Sequence, residues 1–136
     1  MNVHTHCPLT ELEVIGVRYR GTEFAGPDHA ALEAYLGKSV YTRAGVPFSY
    51  SEPRMPEGKE TGRPEVDLGT LGGVIAKKAA KGRNAGKQLL MTGGNCNHAT
   101  GILGGLQTAH GADARIGLVW FDAHGDFNTP RTTLTG

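Results

Sequence analysis

Cysteine is scarce in this chain: Cys7 and Cys96 are the two present among 136 residues. Two thiols cannot build the multi-bridge framework that staples small secreted domains, so both are expected to be reduced. Long apolar runs are also missing. The clearest, residues 117–121, is about five residues, far short of the roughly 20 that span a bilayer, so no membrane partner is expected. Neither sign of charge dominates, because 14 basic and 13 acidic residues are interspersed and leave a formal net charge of +1. Without a basic patch, nucleic acid is not an expected partner. The first ten residues lack a basic stretch followed by an apolar one, so no secretory signal is visible and a cytoplasmic location is the expectation.

Glycine, in contrast, is plentiful, with 21 residues. They gather at the edges of apolar segments (Gly93-Gly94, Gly101, Gly104-Gly105, Gly125) and not in a low-complexity run, which points to tight turns between regular elements. The length suits a single folding unit. We read residues 1–10 as a mobile terminus and 11–136 as part of one α/β domain. The His4-Thr5-His6-Cys7 cluster could hold a metal, but without a second cluster nearby a solvated terminus is the simpler account.

Residues 14–19 are short and β-branched and precede Gly21, so a strand is predicted there. Pro27 and Asp28 open a predicted helix that runs to about Leu36. Residues 45–64 hold four prolines and are expected to form a long surface loop, with at most a short strand near Val46. From Val66 to Lys81, apolar positions Leu68, Leu71, Val74, Ile75, Ala79 and Ala80 recur near helical spacing and predict an amphipathic helix. Residues 88–92 predict a strand, Gly93-Gly94 a turn, residues 97–109 a helix, and residues 115–121 a further buried strand. Strands separated by helices require crossover connections, hence a parallel sheet in a three-layer α/β/α arrangement, with ligand chemistry at the carboxyl ends of the strands. Arg18 and Arg20 lie near such an end and could reach the edge of a site there, but surface solvation is the expected role for both.

The segment Asp122-Ala123-His124-Gly125-Asp126 follows the last predicted strand, and its three metal-capable side chains occupy alternate positions. In extended backbone they share one face. Carboxylates with one imidazole suit Mn²⁺ or a similar divalent ion better than structural zinc. Two such ions about 3.5–4 Å apart share a water and lower its pKa toward about 7, which is hydrolytic chemistry without a protein nucleophile. Taken alone, the triplet could also cap a turn.

What surrounds the triplet decides its reading. The run Val119-Trp120-Phe121-Asp122-Ala123-His124-Gly125-Asp126-Phe127-Asn128-Thr129-Pro130, followed by Thr132-Thr133-Leu134-Thr135-Gly136, closely resembles the signature of the arginase (ureohydrolase) family. That resemblance implies an arginase-like α/β fold and hydrolysis of guanidino groups with two Mn²⁺ ions, another divalent metal being possible. By the resemblance, Asp122 bridges both ions, His124 binds one and Asp126 the other. Upstream, Gly93-Gly94-Asn95-Cys96-Asn97-His98-Ala99-Thr100-Gly101 is similar to the family's Gly-Gly-Asp-His-Ser segment, with Cys96 where the family has its ligand histidine. A thiolate binds metal but is softer than Mn²⁺ prefers, so altered metal loading is implied. The alternative for Cys96 is an inert buried thiol, and His98 is expected on a helix surface. Cysteine at this position looks like the branch that contains hydroxyarginine hydrolases. The resemblance also makes Asn128, Thr133 and Thr135 ligands for the substrate's α-carboxylate, which favours a guanidino amino acid over agmatine.

Only the first part of the family pattern is matched. The later Ser-x-Asp-x-Asp segment, the proton-shuttling histidine and the guanidinium-binding acid have no counterpart here. The expected enzyme is therefore a binuclear hydrolase releasing urea or hydroxyurea, completed by a second polypeptide that carries the carboxy-terminal half, in a higher oligomer. A non-catalytic regulatory or metal-sensing subunit is the alternative, motivated by Asn95 and Cys96.

Overall fold

A computed structural model describes residues 8–25, 30–37, 39–122, 129 and 131–132. Strand β1, Leu12–Val17, is the centre of a three-stranded parallel sheet. Leu12, Val14, Ile15 and Val17 are buried on its two covered faces, as expected for a parallel strand, and Glu13 is its one charged residue. A two-residue ribbon follows, β2 (Tyr19–Arg20) antiparallel to β3 (Glu23–Phe24), and then helix α1, Ala30–Gly37.

Strand β4, Phe48–Ser51, pairs with β1 from Leu12↔Phe48 to Ile15↔Ser51. It lies inside the segment that the prolines made look like a loop, just beyond Val46, near which the sequence allows a short strand. Its four residues alternate aromatic and serine, a signal too short to stand out from its surroundings. Strand β5, Gln88–Gly93, pairs along the other side of β1 from Leu12↔Gln88 to Val17↔Gly93, giving the order β4-β1-β5.

Helix α2, Pro64–Asn84, carries the chain across β1 between β4 and β5. Proline at its start lacks only an N–H that would have had no intrahelical partner, and Glu65 and Asp67 near the start with Lys81 and Arg83 at the end complement the helix dipole. The buried Asp67 carboxylate also accepts from the backbone N–H of Thr61 (2.8 Å), its hydroxyl (2.7 Å) and the N–H of Gly62 (3.0 Å). Leu71, Ile75 and Ala79 pack on Ile15, Val17 and Tyr19. Burial of the Leu71 and Ile75 side chains stabilises by about 1.5–3 kcal/mol each. On the opposite sheet face Leu12 and Val14 pack against Tyr41, whose hydroxyl meets Thr92 Oγ1 at 2.9 Å.

Helix α3, Ala99–His110, stacks on α2 through small residues. A Cβ added at Gly105 would lie 2.5 Å from Ala79 Cβ and one at Gly101 would lie 2.8 Å from Ile75 Cβ, so these glycines set how closely the two helices approach.

One expected element does not form. Residues 115–121 take no regular structure, and Val119 and Phe121 are 78% and 95% exposed. A strand exists only against a partner edge, and among the described residues none pairs with this segment. The far edge of β5 is likewise unpaired among the described residues.

Candidate functional site

The carboxyl ends of the three parallel strands bring together Arg18 after β1, Glu52 after β4 and the Gly94–Cys96 stretch after β5. Arg18 is buried, contrary to the expectation of surface solvation, while Arg20 is exposed as expected. The Arg18 Nε donates to Glu52 Oε1 at 2.7 Å, and a guanidinium nitrogen lies 2.5 Å from Glu33 Oε1. Tyr50 and Arg54 also donate to Glu52, at 3.0 and 2.9 Å. The bond to Glu52 holds the Arg18 pKa above its ordinary value. Burial opposes ionisation of Glu52, yet the hydrogen bonds from Arg18 and Tyr50 hold its carboxyl below the usual value. Tyr50 is pushed up to about 12, first by burial and then by its bond to Glu52.

Sequence reasoning missed this cluster. The charge of Arg18 suggested water, but two carboxylates from distant parts of the chain pair with it, and such partners leave no local signal.

The turn after β5 needs its glycines. Gly93 and Gly94 have φ of 76° and 72°, and a Cβ on Gly94 would sit 2.9 Å from the His98 ring and 3.1 Å from Val17. Asn95 then opens a short 3-10 turn, Cys96–His98, which leads into α3. Asn95 and His98 cap one another, the Asn95 N–H donating to His98 Nδ1 at 2.8 Å. With Nδ1 accepting, Nε2 carries the proton and donates to the Gly21 carbonyl at 3.0 Å. The Gly21 N–H in turn donates to Asn95 Oδ1 at 2.9 Å. His98 is fully buried, not on the helix surface as expected, and burial holds its pKa below the ordinary value. An Asn three residues ahead of a His was the available signal, a capping-box spacing with imidazole in the place usually held by Glu or Gln.

Cys96 is a free, exposed thiol on this turn, so the inert buried alternative does not hold. Asp122 is exposed, with the Trp120 indole N–H 3.3 Å from Oδ2. His124, Asp126, Asn128, Thr133 and Thr135 lie outside the described residues. Among the described residues, no three His, Cys, Asp or Glu side chains gather in metal-binding reach of one another. Among the described residues, Cys96 offers an exposed thiol and Asp122 an exposed carboxylate, each a group of a kind that binds divalent cations.

Comparison with known proteins bears on the same region. The model of the Arginase family matches residues 59–136. The chain is 31% identical to an arginase of Entamoeba histolytica over 88 residues, covering 63% of this chain and 30% of that protein. It is 35% identical to arginase-1 of Homo sapiens over 69 residues, covering 51% of this chain and 20% of that protein. The aligned stretch thus spans less than a third of the length of either relative.

Proposed function

The chain belongs to the arginase family, and on that premise we propose that it supplies the amino-terminal part of a binuclear ureohydrolase site acting on arginine or a derivative such as hydroxyarginine. Water adds to the guanidino carbon and the C–N bond to the side chain breaks, so that urea, or hydroxyurea from hydroxyarginine, leaves with a diamino acid as the other product. The observation that carries this reading is the exposed Cys96 thiol on the turn after β5, at the position where the resemblance puts a ligand histidine.

Cys96, Asp122, His124 and Asp126 would hold a pair of divalent ions, with Mn²⁺ suited to the carboxylates and a softer ion to the thiolate. When bound, such a pair supplies the Lewis acidity that makes water a nucleophile near neutral pH. Asn128, Thr133 and Thr135 would orient the substrate by donating hydrogen bonds to its α-carboxylate, with no charged side chain needed. The rest of the site is proposed to come from a second polypeptide of the same family. The edge of β5 left unpaired among the described residues and the exposed apolar residues Leu118, Val119, Trp120 and Phe121 support that partner, since both need cover in a working enzyme.

Intact-mass and metal analysis of the native assembly, with an assay for urea and hydroxyurea, tests the proposal. A companion polypeptide, two ions per site and product from one of the two substrates are expected, with Asp122→Asn losing both metal and turnover. A monomer without a companion would remove the second polypeptide. Full turnover in Asp122→Asn would remove the hydrolase assignment, and metal content below one ion with no product would point to a regulatory subunit.

A further inference from the structure

The turn that presents Cys96 is tied to a distant piece of chain by two hydrogen bonds to the backbone of a single residue, Gly21. Gly21 donates its N–H to the Asn95 side chain, and its carbonyl accepts from His98 Nε2, so residues 95 and 98 grip Gly21 from both sides of Cys96. The same imidazole accepts the Asn95 N–H, which closes the turn on itself. His98 has no solvent-exposed surface, and Gly94, with no Cβ, leaves just enough room for its ring. Cys96 itself stays exposed. A buried imidazole with both ring nitrogens hydrogen-bonded to backbone, two residues on from an exposed thiol, is a support and not a ligand.

We infer that His98 and Asn95 are positioning residues that fix the direction in which Cys96 is offered to a divalent metal, by locking the turn after β5 onto the Gly21 backbone. This rests on the reading of Cys96 as a metal ligand. It also assigns the Gly21 turn, which is remote in sequence from the metal motifs, to the support of the site.

The test uses the native assembly with Co²⁺ as probe, read by the near-ultraviolet thiolate-to-cobalt charge-transfer band, and the metal-free assembly with iodoacetamide, read as the alkylation rate of the Cys96 peptide by mass spectrometry. His98→Leu should weaken Co²⁺ binding about 10–100-fold and change the alkylation rate. His98→Gln keeps a donor near the Nε2 position and should recover most of the affinity, more than His98→Asn, which keeps only an acceptor near Nδ1. Should His98→Leu fail to fold, Asn95→Ser, whose shorter side chain lets go of the Gly21 N–H, should show a smaller loss in the same direction. A band that forms in the unsubstituted protein with the same affinity in folded His98 and Asn95 variants would overturn the positioning role alone. A band absent from the unsubstituted protein, or unchanged in Cys96→Ala, would instead overturn the ligand reading on which the role rests.

Discussion

At the scale of single residues, the polar groups closed off from water mark where the chain is most sensitive. Arg18 neutralises Glu52 at the meeting point of β1 and β4, and Glu33, half exposed, adds little. Replacing Arg18 with Met should destabilise the fold by about 2–3 kcal/mol in denaturant titration. This is less than the full cost of an orphaned buried charge, because Glu52 keeps Arg54 and some contact with water. Asp67 supplies a pH-dependent contribution. The Thr61 hydroxyl first, then the Thr61 and Gly62 amides, hold its carboxyl below the ordinary value of 3.8. A depressed native pKa means stability that is fully present above the unfolded value and lost as pH falls through the native one. Asp67→Asn should therefore lower Tm at pH 7, and the gap from the unsubstituted protein should narrow steadily below about pH 4. A gap that stays constant into acid would show that the ionised form is not what matters.

At the scale of elements, the α2–α3 pair offers a sharp contrast between neighbouring glycines. A methyl at Gly105 drives into Ala79 Cβ and the Ala76 carbonyl, and Gly105→Ala should cost about 1–3 kcal/mol by overpacking. Gly104 meets only Ala76 Cβ, at 3.7 Å, so Gly104→Ala should stabilise by up to about 1 kcal/mol through helix propensity, read from paired melting curves. The helix spacing of Leu71, Ile75 and Ala79 was open to sequence reasoning because one face must repeat every turn. The first strand was open to it because a strand covered on both faces is largely apolar, and residues 88–92 because a short apolar run between glycines reads as a strand. Other elements were not. Four residues of β4 gain their hydrogen bonds from β1, some 36 positions away in the register Leu12↔Phe48, so local pattern allowed for no more than a short strand near Val46 and could not give its pairing. His98 and Arg18 were misjudged for the same reason, since polarity suggests exposure unless the buried partner is known. The acidic triplet was visible as a motif, but its ligand geometry depends on how residues 122–126 are held, and only Asp122 of those ligands is described.

At the scale of the whole molecule, two features of the described residues bear on assembly: a strand edge on β5 that none of them pairs with, and the exposed apolar side chains of residues 118–121. If a second polypeptide covers them, amide hydrogen exchange across 115–121 should slow by at least about tenfold in the assembly relative to the separated chain, and Val119→Lys should weaken association without altering the helical circular dichroism. Equal exchange in both states would count against that surface as the contact. The same strand whose edge is open is anchored at its other end. Lys87, just ahead of β5, reaches Glu11 at 2.9 Å, Ser49 Oγ at 2.8 Å and Glu13 at 3.5 Å, stitching the amino ends of all three strands. Alternation makes that stitch a ruler. A slip of β5 by one place would turn Leu89 and Met91 out of the α2 core and carry the thiol-bearing turn about 3.3 Å along the sheet axis. A lysine at the floor of the sheet thus sets the height at which a cysteine stands at its roof.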